Sequence, residues 1–134
     1  MSKGRKIAAS AALLVVVFAA VFALGGLGRR PFRSLEGVDI ASATVRLTPP
    51  DATLAVEDTD TLARLLSEAV VYRQDGSWTD YAGQGVEYTL TLSDGTVTTV
   101  MEYNPFIVID GVGYRAKGAP CEELSRFGNA LAGR

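Results

Sequence analysis

The sequence predicts a small α+β domain that follows an N-terminal membrane helix. Three observations lead to this prediction. Residues 7–28 carry no charge. Between Tyr88 and Arg115, apolar and polar residues alternate and are interrupted by Asp-Gly pairs, which is typical of antiparallel strands joined by tight turns. In two further stretches, near residues 59–70 and 120–131, apolar residues recur at helical spacing.

Residues 7–28 form the predicted membrane helix. A helix of this length rises roughly 33 Å, enough to cross about 30 Å of bilayer hydrocarbon. A cleaved signal peptide is the alternative, but its apolar core usually has only about 7 to 15 residues. We therefore expect an uncleaved anchor in residues 1–34 and one domain in residues 35–134. Basic residues flank the helix on both sides: Lys3, Arg5 and Lys6 before it, and Arg29, Arg30 and Arg33 after it.

Charge divides the chain at the same place. Residues 1–34 hold six Lys or Arg and no acid, whereas the remainder holds all fifteen acids and seven basic residues, so +6 and −8 give the total of −2. An acidic domain is unsuited to nucleic acid, whose phosphates are bound by Lys and Arg. The basic flanks can contact anionic lipid headgroups or only anchor the helix ends.

The orientation of the chain in the membrane is predicted from the short segment before the helix. Only six residues precede Ile7, which favours a single-pass protein of the cell membrane with an extracytoplasmic C-terminal domain. The three arginines after the helix argue for the opposite orientation, because basic residues tend to stay in the cytoplasm.

The first half of the domain should contain one strand and one helix. Residues 38–47 are β-prone, and Pro49-Pro50 ends the strand because proline cannot donate to a ladder. Asp58 or Thr59 should cap the helix that follows. The segment from 73 to 85, rich in glycine, should be a loop. The apolar face of the helix comprises Leu62, Leu65, Leu66, Ala69 and Val70.

The second half should be a meander of four strands closed by a helix. The turns between the strands are predicted at 93–95, at Asn104-Pro105 and at Asp110-Gly111. Pro120 should start the helix. The order is then β-α-β-β-β-β-α, an antiparallel meander sheet covered by two helices. The first strand of the meander alternates Tyr88, Leu90 and Leu92; the second has Val97, Met101 and Tyr103 on one side; the helix has Cys121, Leu124, Phe127, Gly128 and Leu131 on its inner face.

Three segments carry a resemblance to a known group of proteins: residues 88–92 with Asp94-Gly95, residues 107–111 with Tyr114, and residues 121–124. Together they resemble small membrane-anchored domains of unknown function from Gram-positive bacteria. The resemblance implies the β-meander topology and a location at the bacterial surface. It assigns no activity, cofactor or binding residue.

Little in the sequence indicates catalysis. The chain has no histidine and one cysteine, so we expect no catalytic residue, no metal site and no cofactor. Glu57, Asp58 and Asp60 precede the first helix, and such acids usually cap helices or stabilise turns. Cys121 shares a helical stripe with Leu124, which predicts a buried thiol.

A loop with two aromatic residues is the candidate partner-binding site. Asp75, Trp78, Asp80 and Tyr81 lie in the Gly-rich segment, where aromatic side chains can contact a protein or a glycan. Alternatively, Trp78 covers the edge of the sheet or one end of the core, and this interpretation is the stronger because large aromatics are usually well buried.

The function predicted from these features is that of a membrane-tethered extracytoplasmic binding or interaction module. Its partners would be the lipid bilayer, through the N-terminal helix, and an envelope protein or a glycan. An accessory subunit of a cell-envelope complex is the alternative, since Gly25, Gly26 and Gly28 allow close approach of another helix. A carboxylate-based hydrolase is the least favoured of the three.

Overall fold

The computed structural model describes residues 28–48, 51–80 and 85–133. The predicted membrane helix lies outside this part of the chain, apart from its last residue, Gly28. Among the described residues, none of the helices is long and apolar enough to cross a bilayer.

A seven-stranded antiparallel sheet is the framework of the domain, and its strand order is β2-β1-β4-β5-β6-β7-β3. The strands are β1 (Ile40–Thr48), β2 (Ala52–Ala55), β3 (Val71–Gln74), β4 (Gly85–Leu92), β5 (Val97–Tyr103), β6 (Phe106–Ile109) and β7 (Val112–Ala116). The helices are α1 (Thr59–Ser67) and α2 (Gly118–Leu131), and two 3-10 turns span Gly37–Asp39 and Gly76–Asp80. The α+β class and the antiparallel meander with two helices are therefore confirmed.

Both strands that the sequence did not predict lie at the edges of the sheet. β2 and β3 have four residues each, which is too short for a clear alternation of apolar and polar residues. The predicted helix also extends to Val70, whereas α1 ends at Ser67, so the residues that lead into β3 resemble a continuation of the helix. The predicted loop at 73–85 accordingly contains the end of β3 and the second 3-10 turn.

The N-terminus of α1 is capped as expected. Asp58 Oδ1 accepts a hydrogen bond of 3.0 Å from the backbone N–H of Thr61, and its second oxygen accepts the Thr61 hydroxyl. The predicted apolar face is buried at Leu62, Leu65 and Leu66; Ala69 is buried as well, but it lies with Val70 beyond the end of the helix at Ser67. Thus the cap and the helical spacing together determined where this helix begins and which side faces the core.

Both helices pack on the same face of the sheet, and the hydrophobic core lies between the helices and that face. Strand register places Val45, Tyr88 and Val100 in one row across β1, β4 and β5, and all three are fully buried. We call this the covered face. Because side chains alternate along a strand, the residues between them belong to the opposite side of the sheet, the second face.

The three apolar residues that the sequence groups on one side of β5 do not face the core. Val97, Met101 and Tyr103 do share one side, but that side is the second face, and Val97 is 57% exposed. The covered face carries Val100 and the buried acid Glu102. Pairing with Tyr88 determines this register, so a carboxyl group enters the core.

Helix α2 approaches the centre of the sheet at a glycine. A Cβ at Gly128 would lie 2.7 Å from Val86 Cγ1 and 3.0 Å from the Tyr88 hydroxyl oxygen. That hydroxyl donates a hydrogen bond to the carbonyl oxygen of Leu124. The predicted inner face is buried at Cys121, Leu124 and Gly128, and Phe127 packs against it, but Leu131 is 39% exposed because it lies in the last turn, beyond the sheet.

We expect Gly128→Ala to lower the free energy of unfolding by about 1–2 kcal/mol. The added methyl group forces α2 away from Val86 and Tyr88, which outweighs the better helix propensity of alanine. The measurement is urea unfolding of the full-length protein in detergent micelles, followed by Trp78 fluorescence.

Gly76→Ala is the matched control, since no atom lies within 4 Å of the added Cβ. It should change stability by less than about 0.5 kcal/mol. Equal effects of the two substitutions would show that close approach at position 128 is not the cause.

Candidate functional site

The predicted aromatic loop lies at the β3 end of the sheet. Asp75, Trp78 and Asp80 are described, whereas Tyr81 lies outside the described residues. The backbone N–H of Asp75 donates to the Gly113 carbonyl at 2.8 Å, and the N–H of Ser77 donates to Asp75 Oδ1 at 2.9 Å. The 3-10 turn is thereby attached to β7. Asp80 is exposed at the end of the turn.

Trp78 packs against the backbone of β7. A Cβ at Gly113 would lie 2.1 Å from Trp78 Cδ1 and 2.6 Å from its Nε1, so only glycine leaves room for the indole. The side chain is half-buried, and Gly113 belongs to the second face through its pairing with Val108. Trp78 therefore covers this end of the sheet, in agreement with the second interpretation of the loop.

Asp75 contributes to the same cover through an ion pair. Arg115 Nε donates to Asp75 Oδ2 at 2.9 Å, and the guanidinium lies 4.7 Å from the centroid of the Phe106 ring. Hydrogen bonds from Ser77, together with Arg115, hold the pKa of Asp75 well below its usual range. Phe106 is fully buried although it lies on the second face. These contacts give Asp75 and Trp78 a structural role.

A shallow groove occupies the other end of the second face. Its volume is about 160 Å³, and half-buried Met101 and Tyr103 supply its apolar surface. The full lining comprises Arg46, Thr48, Gly85, Glu87, Met101 and Tyr103. This surface mixes one cation, one anion and an aromatic ring, a composition suited to contact with another protein.

The core contains one buried acid among the described residues. Glu102 is 3% exposed, and its Oε1 accepts a hydrogen bond of 2.7 Å from the backbone N–H of Asn104. Burial raises its pKa to about 7; nearby Glu122 acts in the same direction, and the hydrogen bonds from Asn104 and Ser125 oppose both.

The same environment keeps Cys121 neutral. The side chain is fully buried, as predicted, and burial raises its pKa to about 12, with Glu102 and Glu122 contributing further. A neutral, inaccessible thiol is unreactive toward alkylating reagents. Cys121 therefore behaves as a small apolar core residue.

The segment that follows the predicted membrane helix is held against the domain. Arg29 and Val71 exchange two backbone hydrogen bonds, of 2.8 and 2.9 Å, at the outer edge of β3. Arg30 Nε donates to the Ser67 carbonyl oxygen at 2.7 Å, at the C-terminus of α1 where a cation is favourable. Phe32 and Leu35 then pack against the core. The connection is thus part of the folded domain.

This segment forms one wall of the larger groove, which we call the junction groove. Its volume is about 520 Å³, within the range of roughly 300–1,000 Å³ usual for small-molecule sites. The lining comprises Arg30, Pro31, Phe32, Arg33, Ser34, Leu35, Asp39, Leu92, Ser93 and Asp94. Two arginines and two aspartates thus face one cavity.

Backbone hydrogen bonds fix both aspartates of the groove. Asp39 Oδ2 accepts from the Glu36 N–H, and Asp94 Oδ1 accepts from the Thr96 N–H, each at 2.9 Å. The Ser93 N–H also donates to the Asp39 carbonyl oxygen at 2.8 Å, which joins the two turns that carry these acids. The carboxylates are therefore placed before any ligand arrives.

No pattern in the sequence indicates this groove, because its walls are about 60 residues apart in the chain. In the sequence, Arg30 and Arg33 indicate only the flank of the predicted membrane helix, and Asp94 indicates only a turn. In the described part of the chain, no group of three or more His, Cys, Asp or Glu side chains could hold a metal ion. The chain matches no family model, and neither curated proteins nor solved structures show significant similarity to it.

We expect the free energy of unfolding to fall by about 2–3 kcal/mol between pH 4.5 and pH 7, and to change little above pH 7 through this group. The folded state holds the proton of Glu102 up to its pKa of about 7, whereas the unfolded chain releases it near 4.5. Glu102→Gln should remove this fall and raise stability at pH 8.

Urea unfolding of the full-length protein in micelles at a series of pH values measures this effect. Glu87→Gln is the matched control, because it removes an acid from the second face and leaves Glu102 in place, so the fall should persist. An unaltered fall in Glu102→Gln would assign the pH dependence to another group.

Proposed function

We propose that this protein is a membrane-tethered extracytoplasmic binding module whose ligand site is the junction groove. The observation that carries the proposal is the composition of the groove, in which two arginines and two preplaced aspartates face one cavity beside the end of the uncharged run. Such an arrangement recognises a charged ligand at the membrane surface.

The position of the groove in the chain supports the membrane location of the ligand. Arg30 follows Gly28 by two residues, which is at most about 7 Å of extended chain. Since Arg30 is also bonded to Ser67, the wall of the groove cannot move far from the point where the membrane helix would end. A ligand in the groove would therefore lie close to the bilayer surface.

The hydrogen bonds in the groove support binding rather than catalysis. Ser93 Oγ donates to the Val38 carbonyl oxygen at 2.8 Å, and each aspartate is held by a backbone N–H. These groups have fixed partners that orient them for recognition. Elsewhere, Asp75 is paired with Arg115, which removes it from any two-carboxylate hydrolase site.

The second candidate function is that of an accessory subunit in a cell-envelope complex. It is favoured by the groove on the second face, where Met101 and Tyr103 offer apolar surface, and by the exposed Val97 farther along the same face of β5. An envelope protein is the partner that fits this surface. The resemblance to membrane-anchored domains of Gram-positive bacteria stays a prediction and agrees with either function.

We expect Val38→Cys to react with a membrane-impermeant maleimide in intact cells. Val38 is 77% exposed, so its replacement is accessible if the domain is extracytoplasmic. The wild-type chain is the control, since its single cysteine is buried. Labelling only after permeabilisation would place the domain in the cytoplasm.

The intact mass of the labelled protein also tests the anchor, because a mature N-terminus between Leu24 and Arg29 would show that a signal peptide has been cleaved.

Native mass spectrometry of the full-length protein, extracted from its own membranes in polymer-bounded discs, should detect a bound small molecule. The double variant Arg33→Gln, Asp94→Asn should lose it, because the groove loses one charge of each sign. Asparagine can still accept the Thr96 hydrogen bond, so the turn is preserved.

The control for this experiment is the double variant Arg126→Gln, Asp51→Asn, which removes one exposed charge of each sign away from the groove. It should retain the molecule. A wild-type protein without any adduct, or the same adduct in all three proteins, would contradict a ligand site in the junction groove.

A further inference from the structure

We infer that the junction groove binds a phospholipid headgroup that carries both a phosphate and a primary ammonium group, as in phosphatidylethanolamine. This inference rests on the proposed function and specifies its ligand. It follows from the charges of the groove, from their hydrogen bonding and from the apolar residues between them.

The two arginines provide the phosphate side of the site. A guanidinium has five N–H donors in a planar fork that matches phosphate oxygens. Arg30 uses its Nε–H for the Ser67 carbonyl oxygen, which fixes the plane of the group and leaves its other donors for a ligand. Arg33 is exposed in the same lining, so two cations can share one phosphate.

The two aspartates provide the ammonium side. Each accepts a hydrogen bond from a backbone N–H, of Glu36 or of Thr96, and Asp94 also has the Thr96 hydroxyl as a partner, while a carboxylate has about four acceptor sites. Asp39 and Asp94 can therefore still accept the N–H groups of a primary ammonium. Because their positions are fixed in advance, a ligand loses little free energy in ordering them.

The balance of charge favours this headgroup over purely anionic and trimethylammonium headgroups. A headgroup with only negative charge would meet two carboxylates as well as two arginines. A trimethylammonium headgroup carries the right charges but has no N–H to donate. A headgroup with a phosphate and a primary ammonium satisfies both sides.

The apolar part of the lining fits the remainder of a lipid. Phe32, Leu35 and Leu92 are half-buried in the groove, where they can contact the glycerol and the first acyl carbons. A bilayer is also the source of ligand that lies closest, since Gly28 ends the uncharged run. We therefore assign the ligand to the membrane and not to a soluble phosphoester.

Hydrogen exchange of the full-length protein in nanodiscs tests this inference. Discs of phosphatidylcholine alone are compared with discs that also contain either phosphatidylethanolamine or phosphatidylglycerol. Peptides covering residues 30–39 and 92–97 should exchange at least several-fold more slowly in the phosphatidylethanolamine discs only. Arg33→Gln and Asp94→Asn should each remove this protection, whereas Arg126→Gln and Asp51→Asn should retain it.

The other outcomes separate this inference from the proposed function. Protection by phosphatidylglycerol instead would overturn the zwitterionic headgroup but retain a binding groove. Equal protection in all discs would indicate contact with the bilayer without headgroup recognition and would overturn the inference. A fourth condition adds soluble glycerophosphoethanolamine to the phosphatidylcholine discs. Protection in this condition alone would overturn the assignment of the ligand to the membrane. If no condition protects these peptides while the mass spectrum shows a groove-dependent adduct, the inference fails and the proposed function stands.

Discussion

The close contact between α2 and the centre of the sheet is the constraint on which the rest of the domain depends. Gly128 allows the helix backbone to approach Val86, and the Tyr88 hydroxyl then reaches the Leu124 carbonyl oxygen. This contact fixes the height of α2 above the sheet. It thereby buries Cys121 and Glu102. Since burial raises the pKa of Glu102, the ionisation of this acid depends on the packing of α2.

The two faces of the sheet are covered in different ways. The covered face is closed by helices, whereas at the β7 end of the second face Trp78 lies against Gly113 and Arg115 lies over Phe106. An indole packed on a glycine in one case, and a cation over an aromatic ring in the other, cover this end of the sheet in place of a third helix. Away from this end the second face stays accessible, both in the groove around Met101 and Tyr103 and at the exposed Val97.

The sequence predicted the class of the fold because its signals are local. Asp58 as a helix cap, the alternation around Tyr88 and the Asp110-Gly111 turn, where both residues have positive φ, each require only a few neighbouring residues. β2 and β3 were missed because four residues at a sheet edge carry too little pattern. The junction groove could not be predicted, because Arg30 and Asp94 meet only through the fold.

The attachment of Arg29 and Arg30 has a mechanical consequence. The bonds to Val71 and Ser67 attach residues 29 and 30 directly to the domain, so a pull applied to the chain at Gly28 would act on an edge strand and on the end of α1. A force applied along the chain would first stretch the two backbone hydrogen bonds between Arg29 and Val71. β3, short and joined to β7 by an irregular register, is the element that would yield, while the four-stranded meander behind it would stay intact.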